Sequence, residues 1–160
     1  LRGFVYIGSG TINIKNCVGD GIQADSFVYI AGGEVKIETI PTWETFIVTS
    51  NWMKVCFRKV GDTYQKVSKD DVHRGTTYYI LTSSCKGIKV GEIDYFFKED
   101  ESETEEIVQS SLYTIFIEGG KIDVNSPDDA IHANSGNTLI YSGEITISTL
   151  DDAIFFVKNF

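Results

Sequence analysis

Two prolines, three cysteines and two histidines in 160 residues make a short list, and each shortage excludes something. An odd set of cysteines (Cys17, Cys56 and Cys85) is not a disulfide framework, and no C-x-x-C pair suggests zinc. Cys17 and Cys85 each precede a similar motif, and the repeat described below sets them two turns apart, too far for a bridge. With only His73 and His132 and no thiol cluster, a soft-metal site has no ligand set. No Asn-x-Ser/Thr triplet offers an N-glycan acceptor. Basic residues are scarce: 14 Lys and Arg stand against 23 Asp and Glu, for a net charge of −9. That argues against nucleic acid, whose phosphates need a basic face, and is compatible with cation binding. No apolar run approaches the roughly 20 residues of a membrane span. The chain starts at Leu1, as a processed product or a fragment would, so the lack of a signal peptide says nothing about secretion.

What is present is repetition. Residues 4–14 (FVYIGSGTINI) match residues 27–37 (FVYIAGGEVKI) at a spacing of 23, and residues 115–124 match residues 138–147 at the same spacing. Fifteen glycines and many β-branched residues suit short strands and tight turns. Each copy reads as strand, small-residue turn, strand, and then a corner with a third short strand. A period of about 23 with three strands predicts an all-β chain, a parallel β-helix whose coils stack on one another. Period-two alternation assigns four inward ladders: Ile7/Ile30/Ile117/Ile140, Ile12/Val35/Ile122/Ile145, Ile14/Ile37/Val124/Ile147 and Ile22/Ile88/Ile131/Ile154. The whole of 1–160 reads as one domain with two insertions, near 49–84 and 98–111. The first reads as a hairpin over Trp52–Val67 with its turn at Gly61-Asp62, then a strand over Thr76–Leu81. The second carries the acidic run Glu99–Glu106, expected to be a solvated loop. Trp43-Glu44 stands where an Asp-Gly corner would fall.

The corner holds the chemistry. Asp128-Asp129-Ala130-Ile131-His132 returns 23 residues on as Asp151-Asp152-Ala153-Ile154, with an early copy at Asp20-Gly21-Ile22 and a charge-altered one at Lys86-Gly87-Ile88-Lys89. Stacked coils are ~4.8 Å apart. Carboxylates at that spacing leave room for one ion with oxygens at ~2.4 Å, the calcium distance. Asp128, Asp129, Asp151 and Asp152 are therefore the candidate metal ligands, with Asp20 as an outlying one; the alternative is that each aspartate caps its turn. Lys86 reads either as a neutralising cation in the same column or as a Brønsted base for a uronate substrate. Lys89 and His132 point outward on the third strand. Tyr6, Tyr29 and Phe116 form an outward aromatic row with Phe4 and Phe27 beside them, either a platform for sugar rings or a surface that the first insertion or a neighbouring chain covers.

SPDDAIHAN, ISTLDDAI, SCKGIKVG and the I-x-GG-x-[IV]-x-I strands resemble a family of bacterial cell-surface carbohydrate-binding proteins. The resemblance covers residues 4–37 and 84–154. It implies a right-handed parallel β-helix similar to calcium-dependent pectate lyases. It also implies an extracellular location and calcium-assisted binding of an acidic, pectin-like polysaccharide, with Lys86, Lys89 and His132 near the ligand. Two other readings compete. The unpaired outer strands could stack copies head to tail into a filament or array. A lyase would use Lys86 as its base.

Overall fold

A computed structural model of the chain describes residues 3–49, 55–91, 96–97, 103–104, 113–134 and 136–156. Those residues are all-β apart from one short 3-10 turn at Lys69–Asp71. No helix among them is long and apolar enough to cross a membrane.

Three four-stranded parallel sheets carry the repeat. The first runs Phe4–Ile7, Phe27–Ile30, Thr114–Ile117, Asn137–Ile140. The second runs Thr11–Cys17, Glu34–Thr39, Lys121–Ser126, Glu144–Thr149, and the third Ile22–Ala24, Ile88–Val90, Ile131–Ala133, Ile154–Phe156. Every expected ladder is in register. Ile7 pairs with Ile30, Ile30 with Ile117 and Ile117 with Ile140. The two ladders of the second sheet and the Ile22/Ile88/Ile131/Ile154 ladder follow suit. Most of their side chains meet in one core drawn from all three sheets, in which Ile30, Ile88, Ile117 and Ile131 are fully buried, whereas Ile140 and Ile154, on outer strands, are 44% and 38% exposed. Burying each such side chain contributes roughly 2 kcal/mol. On the outer face of the second sheet, charges alternate up the stack, as in Lys36–Asp123 (3.1 Å) and Lys121–Glu144 (3.8 Å). These exposed pairs contribute a few tenths of a kcal/mol at most, roughly.

Close packing at the entrance to the third sheet dictates glycine. A Cβ on Gly87 would lie 2.3 Å from Val124 Cγ1 and 2.5 Å from the Ala130 carbonyl oxygen, and one on Gly21 would lie 2.4 Å from Ile37 Cγ2. Near the end of the strand Thr11–Cys17 that leads to it, Asn16 sits in the left-handed region at φ 55°, where asparagine is tolerated. Around it the register slips, so that Cys17 pairs with Thr39. Cys17 and Cys85 lie before adjacent levels of the stack, not two turns apart, because Asp20 and Lys86 are neighbours there; both thiols are free.

The first insertion is a fourth, antiparallel sheet, in the order Trp43–Ile47, Thr77–Leu81, Cys56–Val60, Thr63–Val67. The Gly61-Asp62 hairpin is as expected, with its strand starting at Cys56; Trp52 lies outside the described residues. The boundary at 49 is a correction, since the excursion already includes Trp43–Ile47. Trp43 and Glu44 stand where a corner is expected, and a strand's sequence alone does not tell a parallel partner from an antiparallel one. Its aromatic residue does tell: Trp43 stacks on Tyr64 (4.0 Å, 15°) and meets Phe57 edge-on. The Thr82 amide and hydroxyl, 3.0 and 2.7 Å from the Thr42 carbonyl and hydroxyl oxygens, tie the exit to the return. At the second insertion, Glu103–Thr104 pairs antiparallel with Phe96–Phe97 just before it, so this part of the acidic run is strand and not loop. The rest of the acidic run lies outside the described residues.

Candidate functional site

At the corner before the third sheet, the main chain stacks Asp20 on Lys86, Lys86 on Asp129 and Asp129 on Asp152. The bonds are Gly21 N–H to Lys86 O (2.9 Å), Gly87 N–H to Asp129 O (3.0 Å) and Ala130 N–H to Asp152 O (3.1 Å). Asp20 faces the cation below it: Oδ1 accepts the Lys86 amide (2.9 Å) and the Ser84 hydroxyl (2.6 Å), and Oδ2 is 3.3 Å from Lys89 Nζ. Lys86 Nζ reaches down to Asp128 Oδ2 (2.6 Å) and lies 3.8 Å from Asp129 Oδ2. Asp128 Oδ1 accepts the Asp129 amide, and Asp129 Oδ1 accepts the Asp152 amide. Asp129 Oδ2 lies 2.6 Å from His132 Nδ1. At the last level a third ammonium enters from the inserted sheet. Lys66 hydrogen-bonds to Asp151 and sits 3.7 Å from Asp152 Oδ1.

The stacked charges thus have built-in partners. Burial alone would lower the pKa of Lys86, but the hydrogen bond to Asp128 and the charges of Asp128, Asp129 and Asp20 outweigh it, and the ammonium is held above its ordinary value. That is the opposite of what a Brønsted base needs. Lys66 is raised in the same way, burial being outweighed by Asp151, Asp152 and Asp129. Burial pushes the Asp129 carboxyl up, yet His132, Lys86 and the Asp152 amide more than reverse it, and it falls below the usual range. Asp151 goes the other way. Burial raises it, helped by Asp129 and Asp152, and Lys66 offsets this in part. The two partners of this pair differ because Lys66 faces three carboxylates while Asp151 faces one ammonium and two carboxylates.

The pH dependence of stability follows from these signs. Asp129, depressed in the folded state, stabilises above the carboxylate range, and this is lost as pH falls through its folded value. Lys66 and Lys86, raised in the folded state, stabilise fully below their ordinary pKa of 10.5 and lose this as pH rises through their folded values. Asp151, also raised, opposes Asp129 and blunts the acid limb. Melting temperatures measured from about pH 3 to about pH 11 should form a plateau that falls on both sides. A monotonic rise to alkaline pH would contradict the lysine assignments.

Of the five aspartates expected to gather around a metal, three converge: one oxygen each from Asp128, Asp129 and Asp151 lie within 4.8 Å of one another. Asp20 is set apart by Lys86 and caps its amide. Asp152 is half exposed and faces Lys66. The donor set is all hard oxygen, which suits calcium in kind. Lys66 and Lys86 stand on it, so calcium would have to displace them. His132 is not the exposed ligand residue that strand alternation predicts. It points away from the core, yet it is 7% exposed, held between Asp129 and Asn134, with Phe155 stacked on its ring (4.6 Å, 4°). Lys66 carries no sequence signal linking it to Asp151, since the inserted sheet lies outside the repeat.

The outward row of the first sheet is a separate surface. Phe4 and Tyr6 lie on the edge strand and are 61% and 59% exposed, so the inserted sheet does not cover them. Phe4 stacks on Phe27 (4.8 Å, 9°), while Tyr29 stands edge-on to Tyr6 (63°) and to Phe116 (70°). The Tyr29 hydroxyl donates to Glu118, in the turn that follows this sheet. This bond, with burial and the Glu118 charge, pushes the phenol up to about 12 and keeps it a donor.

The model of a family described as "Carbohydrate-binding domain-containing protein" matches residues 1–153. No curated protein and no solved structure matches the chain.

Proposed function

The chain belongs to a family of carbohydrate-binding domain-containing proteins, and from that premise we propose that it is a glycan-binding domain whose ligand lies on the aromatic face of the first sheet. The observation that carries this is the open row itself: Phe4 and Tyr6 exposed beside Phe27, Tyr29 and Phe116. Sugar rings present C–H faces that suit the negative face of an aromatic ring, and exposed apolar patches of this kind mark binding surfaces. In this reading the three sheets are the faces of one right-handed parallel β-helix, which the shared core and the 23-residue register support.

A second grip is favoured by the convergence of Asp128, Asp129 and Asp151. Calcium held there would bridge the protein to carboxylates of an acidic, pectin-like polysaccharide, and Lys66 and Lys86 would be its competitors. In pull-downs with insoluble polysaccharides, Tyr6→Ala should lower retention about tenfold. Any calcium-bridged fraction should vanish with a chelator and with Asp151→Asn. Retention that survives Tyr6→Ala and Phe116→Ala together would overturn the aromatic-face reading.

A further inference from the structure

None of the outward side chains of the first sheet is charged: Phe4, Tyr6, Phe27, Tyr29, Phe116 and Leu139 dominate them. The charged groups that border this face among the described residues are both acidic. Asp25 stands at the entrance to its second strand, where Oδ2 accepts the Gly3 amide (3.0 Å). Glu118 stands at the exit of its third strand, exposed, with one carboxylate oxygen taken by Tyr29 and the other without a partner among the described residues. The Ser142 hydroxyl donates to the Glu118 carbonyl and fixes the turn.

We propose that Glu118, oriented by Tyr29, is the specificity determinant of the aromatic face: its carboxylate accepts hydroxyl groups of a neutral glycan and turns away sugars that carry a carboxylate. This rests on the reading of the face as the glycan surface. A carboxylate is an acceptor only, and a sugar hydroxyl is the donor it can use. Charge-assisted bonds of this kind are about twice as strong as neutral ones. A uronate brings a like charge to a face whose described residues offer no cation to receive it, on a chain whose net charge is −9. The bond from Tyr29 fixes the exposed Glu118 carboxylate beside the Tyr29 hydroxyl, at the border of the aromatic row.

The experiment is affinity electrophoresis in chelator through gels containing a soluble β-glucan, galactan, mannan or polygalacturonate. The natural chain should be retarded by at least one neutral polysaccharide and not by polygalacturonate. Glu118→Gln, which keeps size and removes charge, should weaken neutral retention about threefold to tenfold. Glu118→Lys should create retention on polygalacturonate that Tyr6→Ala removes. Tyr6 is an exposed edge residue, so its truncation leaves the fold intact. Retardation of the natural chain by polygalacturonate in chelator, or Glu118 variants that behave as the natural chain, would overturn the proposal while leaving the glycan surface standing. No retardation in any gel, with chelator or with calcium, would overturn the glycan surface and this proposal with it.

Discussion

Gly87→Ala is expected to cost about 3 kcal/mol of stability, at the upper end of the usual range for overpacking. The reason is the spacing of the stack. The added methyl would sit 2.5 Å from the Ala130 carbonyl oxygen and 2.3 Å from Val124 Cγ1. The oxygen belongs to main chain that receives the Ile88 amide at 2.8 Å, so it cannot move without breaking a rung of the third sheet. Val124 is fully buried and has no room to retreat. Gly8→Ala is the matched control. The nearest atoms to its methyl would be those of the Tyr6 side chain, at 3.0 Å, and that ring is exposed and can swing aside. Its cost should stay below about 1 kcal/mol. Urea denaturation of the two variants reads the difference. Equal effects would mean that the levels are not packed as closely as the third sheet requires.

Lys86→Ala is expected to cost about 3 kcal/mol at neutral pH, because it strands Asp128 and Asp129 without their shared cation. Both side chains are largely buried, at 14% and 8% exposure, and so is Lys86 at 14%. Removing the charge from one carboxylate as well should recover part of the loss, so Lys86→Ala combined with Asp128→Asn should be more stable than Lys86→Ala alone. Urea denaturation of the single and the double variant at pH 7 separates these outcomes. A Lys86→Ala protein as stable as the natural chain at pH 7 would show that the ammonium contributes nothing net.

The parts that were legible in the sequence are the parts that repeat. A spacing of 23 gives the partner within each pair of consecutive repeats, and the shared motifs carry the four isoleucine ladders and the steps Lys86 to Asp129 and Asp129 to Asp152 across the insertions; that Asp20 lies directly on Lys86 was not legible. What did not repeat was hidden. Lys66 reaches Asp151 across 85 residues because it lies two positions beyond Tyr64 on the same face of a hairpin, and no periodicity encodes that meeting. Trp43–Ile47 falls where a corner was expected, and its sequence carries no period that fixes the direction of its partner strand. His132 shows a different limit. Alternation placed it away from the core, but Asp129, Asn134 and Phe155 enclose it there. The aromatic row was legible as a row; that it stays open depended on where the inserted sheet folds.

The most direct measurement is which face the glycan touches. With phenylalanine, tyrosine and histidine rings isotopically labelled, the ring signals are followed by NMR as a soluble oligosaccharide of the retained glycan is added. Shifts centred on Phe4, Tyr6, Phe27, Tyr29 and Phe116, with His132 and Phe155 unmoved, are what a glycan lying on the first sheet predicts. Shifts at His132 and Phe155 with the aromatic row unmoved would contradict it and move the binding surface to the aspartate corner.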